Sequence, residues 1–358
     1  MRYYIGLILL SFALQASAQN IVKMSAVKAN DFGVAYSLPK TKIEVTAVYT
    51  KKTRKAGEFY QYAERYLNVS NPITENHTVF TIETITAQTK GTPDKSRSYL
   101  VEFKSNTVGA FVSLTEDGLI CAINEDATLQ SVAKREALPA STGLGTDPKA
   151  FLSEEILRAG STAKQAELIA KQIYRLRDSR TNILTGEADN MPPDGNAYKL
   201  MMQQIDEQEK ALTSMFVGTE VVEYGEKTFE IISDDKSIDK RILFRFSSKL
   251  GIVDSDDLSG VPVYLSLTNK NPKEDVTLSD KEQKAMTEKF SKGIIYNVPA
   301  KADLSIEFNN QVLLKSECDV VQFGTQDVIS PKQLEYKKDS PIKIVFYPEL
   351  GAIKQISQ

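Results

Sequence analysis

His77 is the only histidine in the chain, so any Ser–His–acid triad would have to use it. It lies in Asn76-His77-Thr78 at a strand entry, and no Gly-x-Ser-x-Gly elbow offers a partner serine. An exposed loop or strand-edge histidine is the expectation. Cysteine catalysis needs a thiol activated by a base. Cys121 and Cys318 both fall in alternating apolar runs, where burial opposes the thiolate. A disulfide between them and two buried free thiols both remain open at this point. With 47 Asp and Glu residues, some pair will meet the roughly 5–10 Å separation of a glycosidase by chance. Asp254, Asp256 and Asp257 loosely resemble a Ca²⁺ loop but lack its glycine and its distal glutamate. Asp189, Asn190 and Asp194 around Pro192-Pro193 invite the same idea, and both groups read as solvated turns. The basic stretch Lys51, Lys52, Arg54 and Lys55 lies near Tyr49, Phe59, Tyr60, Tyr62 and Tyr66, the residue types that grip nucleic acid or an anionic glycan. The tyrosine spacing is already accounted for by helix packing, so a solvated basic turn is expected. No glycine-rich phosphate cradle occurs. No residue is assigned a catalytic, cofactor-binding or metal-binding role.

The elements that would position these groups are mostly strands. Lys42 to Ala47 alternates polar and apolar residues, as do Tyr99, Val101 and Phe103. Val108, Ala110, Val112 and Leu114 run into Asp117-Gly118, followed by Leu119, Cys121 and Ile123, which predicts a hairpin. Phe59, Tyr62, Ala63 and Tyr66 have helical spacing and suggest a short amphipathic helix packed on a sheet. From about 152 to 217 the period becomes helical. Thr162 with Gln165 has capping-box spacing, and Gly186 supplies a stop. Ile169, Ile173, Leu176, Arg180 and Ile183 form one stripe; Met201, Ile205, Gln208, Leu212 and Met215 form a second. Joined by a loop containing Pro192-Pro193, they imply an antiparallel helical hairpin. Arg180 and Gln208 interrupt the seam and are placed at its edge.

Strand signals resume at Val222, Tyr224, Phe229 and Ile231, then at Ile242, Phe244 and Phe246, then at Val261 to Leu267. Residues 269–284 are polar, contain Pro272, and read as loop or linker. Leu304, Ile306 and Phe308 approach Asn309-Asn310, whose residues accept turn geometry, before Val312 and Leu314. Ile342, Ile344 and Phe346 lead through Pro348-Glu349-Leu350-Gly351 to Ile353 and Ile356, and the last part of the chain reads as a compact all-β unit.

The chain has 358 residues and a net charge of −3, with 25% charged residues and no tryptophan. That length suggests two or three domains. The near-zero charge excludes a dominant electrostatic attraction to nucleic acid or an anionic membrane. Arg2, the apolar run Ile5 to Leu14 and Ala16-Ser17-Ala18 have the form of an export signal cleaved after Ala18. The run is too short for a membrane span, and no later stretch is long enough to cross as a helix.

The run from Ala56 to Leu67, the segment TGEADNMPPDGNAYKLMMQQIDEQEKALTSMFVG at 185–218, Val321 to Thr325 and Gly351-Ala352-Ile353-Lys354 together resemble an uncharacterised, domain-of-unknown-function family of exported Bacteroides-type envelope proteins. The resemblance covers most of the mature chain. It implies a Gram-negative envelope location, periplasmic or outer-membrane-associated, and carries no activity or site residues. The glycosylation-type matches at Asn68-Val69-Ser70 and Asn76-His77-Thr78 have no consequence in a bacterial chain.

The expected fold is therefore α+β, predominantly antiparallel β. It comprises a signal at 1–18, a β-rich region with a short helix at 19–150, and a helical hairpin at 151–218. Strands at 219–270 complete the first domain, a linker follows at 271–288, and a β-sandwich-like domain occupies 289–358. Whether strands on either side of the hairpin share a sheet is open. The expected function is that of a non-catalytic envelope protein, structural or docking to other envelope proteins. A glycan-binding protein is the first alternative and a carboxylate-dependent hydrolase the second.

Overall fold

A computed structural model describes residues 33–102, 112–125, 137–143, 145–189, 195–272, 279–290, 293–329 and 342–357. The expected signal, Phe103, Val108, Ala110 and Pro192-Pro193 lie outside the described residues. The chain opens on two very long strands, β1 (Gly33–Lys55) and β2 (His77–Glu102). At about 3.3 Å per residue, the 23 residues of β1 make a strand of roughly 75 Å. A 3₁₀ turn (Tyr60–Tyr62) and helix α1 (Ala63–Leu67) join them. Short strands β3 (Val112–Leu114) and β4 (Ile120–Ile123) follow, turning at Asp117-Gly118 with Gly118 at φ 83°, as its sequence predicts.

Next come α2 (Glu154–Leu157), α3 (Thr162–Thr185) and α4 (Gly195–Val217), then β5 (Thr219–Ile232), β6 (Ile238–Ser247), β7 (Gly251–Val253) and β8 (Val261–Asn269). Helix α5 (Asp280–Phe290), β9 (Ile294–Phe308), β10 (Gln311–Ile329), β11 (Lys343–Tyr347) and β12 (Ala352–Ser357) complete the chain. All strand ladders are antiparallel, in sheets ordered β2-β1-β5, β10-β9-β8-β6-β7 and β12-β11-β4-β3. The fold is α+β, mostly β, with an α3–α4 hairpin.

β5 pairs with β1 from Lys42↔Ile232 to Lys55↔Thr219, so the strands flanking the helical hairpin do share a sheet and the hairpin is an insertion. This three-stranded sheet faces the five-stranded one across a core of Ile43, Val45 and Ala47 against Phe244, Leu265, Leu304 and Ile306. A second core joins Tyr36 and Leu38 to Ile120, Ile294, Ile344 and Phe346 under the four-stranded sheet. Tyr36 locks it, donating its hydroxyl to the Ile295 carbonyl (2.9 Å) and accepting from the Ile295 N–H (2.8 Å).

Four expectations need correction. β8 pairs with β9 across residues 271–288 and β11 pairs with β4, so the strands of 289–358 are shared with earlier strands rather than forming a sheet system of their own. The stretch 271–288 includes most of α5, whose start is marked by Ser279 and Glu282: the Ser279 N–H donates to Glu282 Oε2 (2.9 Å) in a capping box hidden by the polar composition. Helix α3 is capped by Ser161, not Thr162, through its hydroxyl accepting from Lys164 N–H. Finally, α1 packs on the hairpin and not on a sheet: Phe59, Ala63 and Leu67 share a core with Ile169, Ile173, Leu212 and Phe216.

Candidate functional site

His77 stands at the exposed start of β2, with Nδ1 3.3 Å from the Glu75 carbonyl. It lines an open cleft of about 340 Å³ with Arg54, Asn71, Ile73, Thr74, Glu75 and Glu220. Arg54 Nε is bound to Glu220 Oε2 (2.5 Å), and the Ile73 N–H donates to Val217 C=O (2.9 Å). The described residues lining this cleft include no serine or cysteine; Thr74 brings a hydroxyl to it.

Both thiols are free. Cys121 is buried in β4 and Cys318 is half-buried in β10, in different sheets. Burial, with a smaller push from Glu349, raises Cys121 to about 11. Burial, with Asp319 nearby, raises Cys318 to about 11 as well. Neither is a nucleophile near neutral pH.

Among the described residues two carboxylates are buried, and sequence patterning singled out neither. Glu44 is 6% exposed on the central strand β1. Burial pushes its pKa up, but Lys90 (2.5 Å), Lys42 (3.2 Å) and Gln88 (3.0 Å) outweigh that and hold it below the usual range. Asp94 behaves alike: burial opposes its charge, while bonds from Ser96 and Lys40 prevail and lower it. A general acid needs the opposite shift. The signal in sequence was only the polar phase of Lys42 to Ala47; Lys90 reaches Glu44 through cross-strand pairing that no local pattern encodes.

Among the described residues, no three His, Cys, Asp or Glu side chains are grouped to hold a metal ion. The 254–260 loop uses its groups internally. Asp257 N–H donates to Asp254 C=O (3.1 Å), Asp257 Oδ1 accepts from Ser259 N–H (2.9 Å), and Arg245 Nε donates to Ser255 C=O (2.8 Å). Asp189 is exposed, while Asn190 and Asp194 lie outside the described residues.

The basic stretch is not a turn but the end of β1, and β5 runs opposite. Lys51 pairs with Glu223 (2.7 Å), Lys52 with Glu220 (3.4 Å), and Arg54 shares Glu220. The aromatics are deployed elsewhere: Tyr49 packs on Phe80 with centroids 6.2 Å apart, and Phe59 on Phe216 at 5.9 Å.

The hairpin changes character along its length. Near the body, Ala166, Ile169, Ala170 and Ile173 meet Leu212, Met215 and Phe216 in a dry seam. Beyond it, Arg177 bonds Glu209 (2.7 Å), and Arg180, one-third exposed, pairs across the seam with Asp206 (3.2 Å) and the largely buried Glu209. These pairs bring the end of α3 beside the start of α4, where Leu184 and Leu200 are each 61% exposed and Met201 39%.

These features define a mostly antiparallel β protein carrying a helical insertion. The chain belongs to the family described as a domain of unknown function (DUF4831), whose profile matches residues 32–354. No curated protein and no solved structure matches the chain. No helix among the described residues is long and apolar enough to cross a membrane.

Proposed function

We propose that this chain is an exported, non-catalytic cell-envelope protein that acts as a structural or protein-interaction module, docking to other envelope proteins through the free end of its helical hairpin. The observation that carries the reading is the exposure of Leu184, Leu200 and Met201 beyond the charged Arg177/Arg180–Asp206/Glu209 layer. Large apolar side chains exposed toward this end of the hairpin favour contact with a partner over contact with water. Export rests on Arg2, the Ile5–Leu14 run and Ala16-Ser17-Ala18. The glycan reading draws less support, because Lys51, Lys52 and Arg54 are engaged by Glu220 and Glu223.

The test is crosslinking in intact envelopes followed by capture of the full chain, beside the variants Leu184→Glu and Met201→Glu. Crosslinked partners that disappear in both variants are the expected result. Recovery of the protein alone at monomer mass, or partners that persist in both variants, would refute the reading.

A further inference from the structure

β1, β9 and β10 each serve both β-cores. β1 gives Tyr36 and Leu38 to one and Ile43 to Ala47 to the other; β9 gives Ile294 and Ile295, then Leu304 and Ile306; β10 gives Ile329, then Val320 and Phe323. No residue belongs to both clusters. Between them, both long ladders break at one level. The β1–β2 register jumps from Ser37↔Ser98 to Pro39↔Pro93, which loops out Asp94 to Arg97. The β9–β10 register jumps from Ala300↔Val320 to Val298↔Thr325, which sets Val321 to Gly324 against Pro299. Prolines at 39, 93 and 299 supply no N–H to either ladder. Bulges bend strands and interrupt their pairing, so this level lacks the stiffness of the ladders on each side.

Among the described residues two contact sets reach across the break: Asp94, which pairs with Lys40 (3.4 Å) and Arg97 (3.6 Å), and a turn between strands. The β11–β12 turn, Pro348 to Gly351, lies wedged there. On one side the Asn297 N–H donates to the Gly351 carbonyl (2.8 Å) and its side-chain amide to the Leu350 carbonyl (3.0 Å). On the other side the turn rests on Gly91 of the sandwich, so closely that a Cβ there would lie 2.6 Å from Glu349 Cα and its carbonyl oxygen. Gly91 faces Thr41 in the ladder, beyond the break from Asn297.

We propose that this level is a hinge and that the Pro348–Gly351 turn is its latch. Seated on Gly91, the turn fixes the four-stranded sheet at one angle to the sandwich. Lifted, it lets that end swing about Pro39 and Pro299 while both cores stay packed. Across the break the latch is the backbone contact of Glu349 on Gly91, while the two Asn297 bonds lie on the turn's own side and hold it in the shape that seats. Losing that contact exposes far less than opening either core, which bares a cluster of aliphatic side chains. The hairpin leaves the sandwich at the far end of β1, beside Lys55, so the hinge varies the angle between the two ends of the molecule.

Hydrogen exchange with peptide resolution, on the full chain and on Gly91→Ala and Asn297→Ala, tests this. Gly91→Ala adds the single atom that the seated turn excludes; Asn297→Ala removes one of the bonds that shape the turn for seating, without touching the β1–β2 ladder. Peptides covering 294–299 and 347–353 should exchange roughly tenfold or more faster in either variant, with peptides covering 43–47 and 169–173 unchanged. Scattering should show a broadened distance distribution at unchanged mass. Acceleration of all peptides together, or hinge peptides that keep the exchange rate of the core in both variants, overturns the hinge. Should Gly91→Ala fail to fold, Asn297→Ala decides alone.

Discussion

Gln322 occupies the β10 bulge and does the work of a missing strand residue. β5 stops pairing with β1 at Ile232, leaving the Thr41 backbone without a continuing partner on that side. Gln322 Oε1 accepts the Thr41 N–H at 3.0 Å, and its Nε2 donates to the carbonyls of Thr41 and Ser233, each at 3.0 Å. Thr41 and Ser233 are both 1% exposed, so Gln322→Ala strands backbone groups that are out of reach of bulk water. A net hydrogen bond contributes about 0.5–1.5 kcal/mol, and an orphaned buried group costs about 1–3 kcal/mol. The three bonds share one side chain and are not additive, so the expected loss is about 3 kcal/mol. For a chain of this size that lowers the melting midpoint by roughly 4 °C, readable by calorimetry. Gln322→Glu should be worse, since it aims a second acceptor at two carbonyls. Thr41→Val, which loses the bond from Val321 N–H to Oγ1 (2.9 Å) but keeps the amide pair, should fall between wild type and Gln322→Ala. A Gln322→Ala protein melting within about 1 °C of wild type would refute the reasoning.

Glu44 and Asp94 have folded pKa values below their unfolded ones, so their stabilisation is complete above the ordinary carboxylate range, near pH 4, and is lost as pH falls through the folded values. Glu44→Gln should therefore lose less stability than wild type between neutral and acid pH; urea midpoints that differ by a constant amount at every pH would contradict this. Cys121 and Cys318, both raised to about 11, should resist alkylation in the native protein at neutral pH and react on unfolding. Rapid native labelling of Cys121 would show that β4 opens. Ile173, fully buried between α3 and α4, should cost about 2–5 kcal/mol on substitution by alanine, measured from denaturant midpoints; a loss under about 1 kcal/mol would mean that the seam is loose.

Local chemistry was legible in sequence where one or two residues decide the backbone. Gly118 and Gly186 adopt φ of 83° and 77°, and Asn309 and Asn310 of 50° and 60°, where turns and a helix stop were expected. Alternation told which residues of Lys42 to Ala47 face the core. It could not tell which strand lies alongside, because partners are far away in the chain: β1 meets β5 across the helical insertion, and β11 meets β4 across most of the protein. The basic run at 51–55 read as a turn because cations without a visible partner look solvated; Glu220 and Glu223 make it a strand. The short aromatic helix showed its apolar face but not its neighbour, for a helix stripe fits a sheet or another helix equally well. Of the candidate site residues, exposed His77 was placed by its surroundings in sequence, whereas buried Glu44 and Asp94 depend on pairings across β1 and β2.

The same cross-strand pairing decides what kind of association this surface supports. Lys51, Lys52 and Arg54 face Glu220 and Glu223; Lys270 and Lys301 lie among Asp303, Glu317 and Asp319; Arg177 and Arg180 hold Glu209 and Asp206. Each exposed pair contributes only about 0–1 kcal/mol to stability. Among the described residues these pairs offset charge locally, in keeping with a net charge of −3. On the proposed docking reading, a partner gains its binding strength from apolar contact, which salt does not screen. Leu184 and Leu200 stand past the last ion pair of the hairpin, where such contact meets the least desolvation of charge. Crosslinking through that end should accordingly hold its yield as ionic strength rises. A yield that falls steeply with salt would mean that a charged face makes the contact, and the hairpin end would have to be given up as the docking surface.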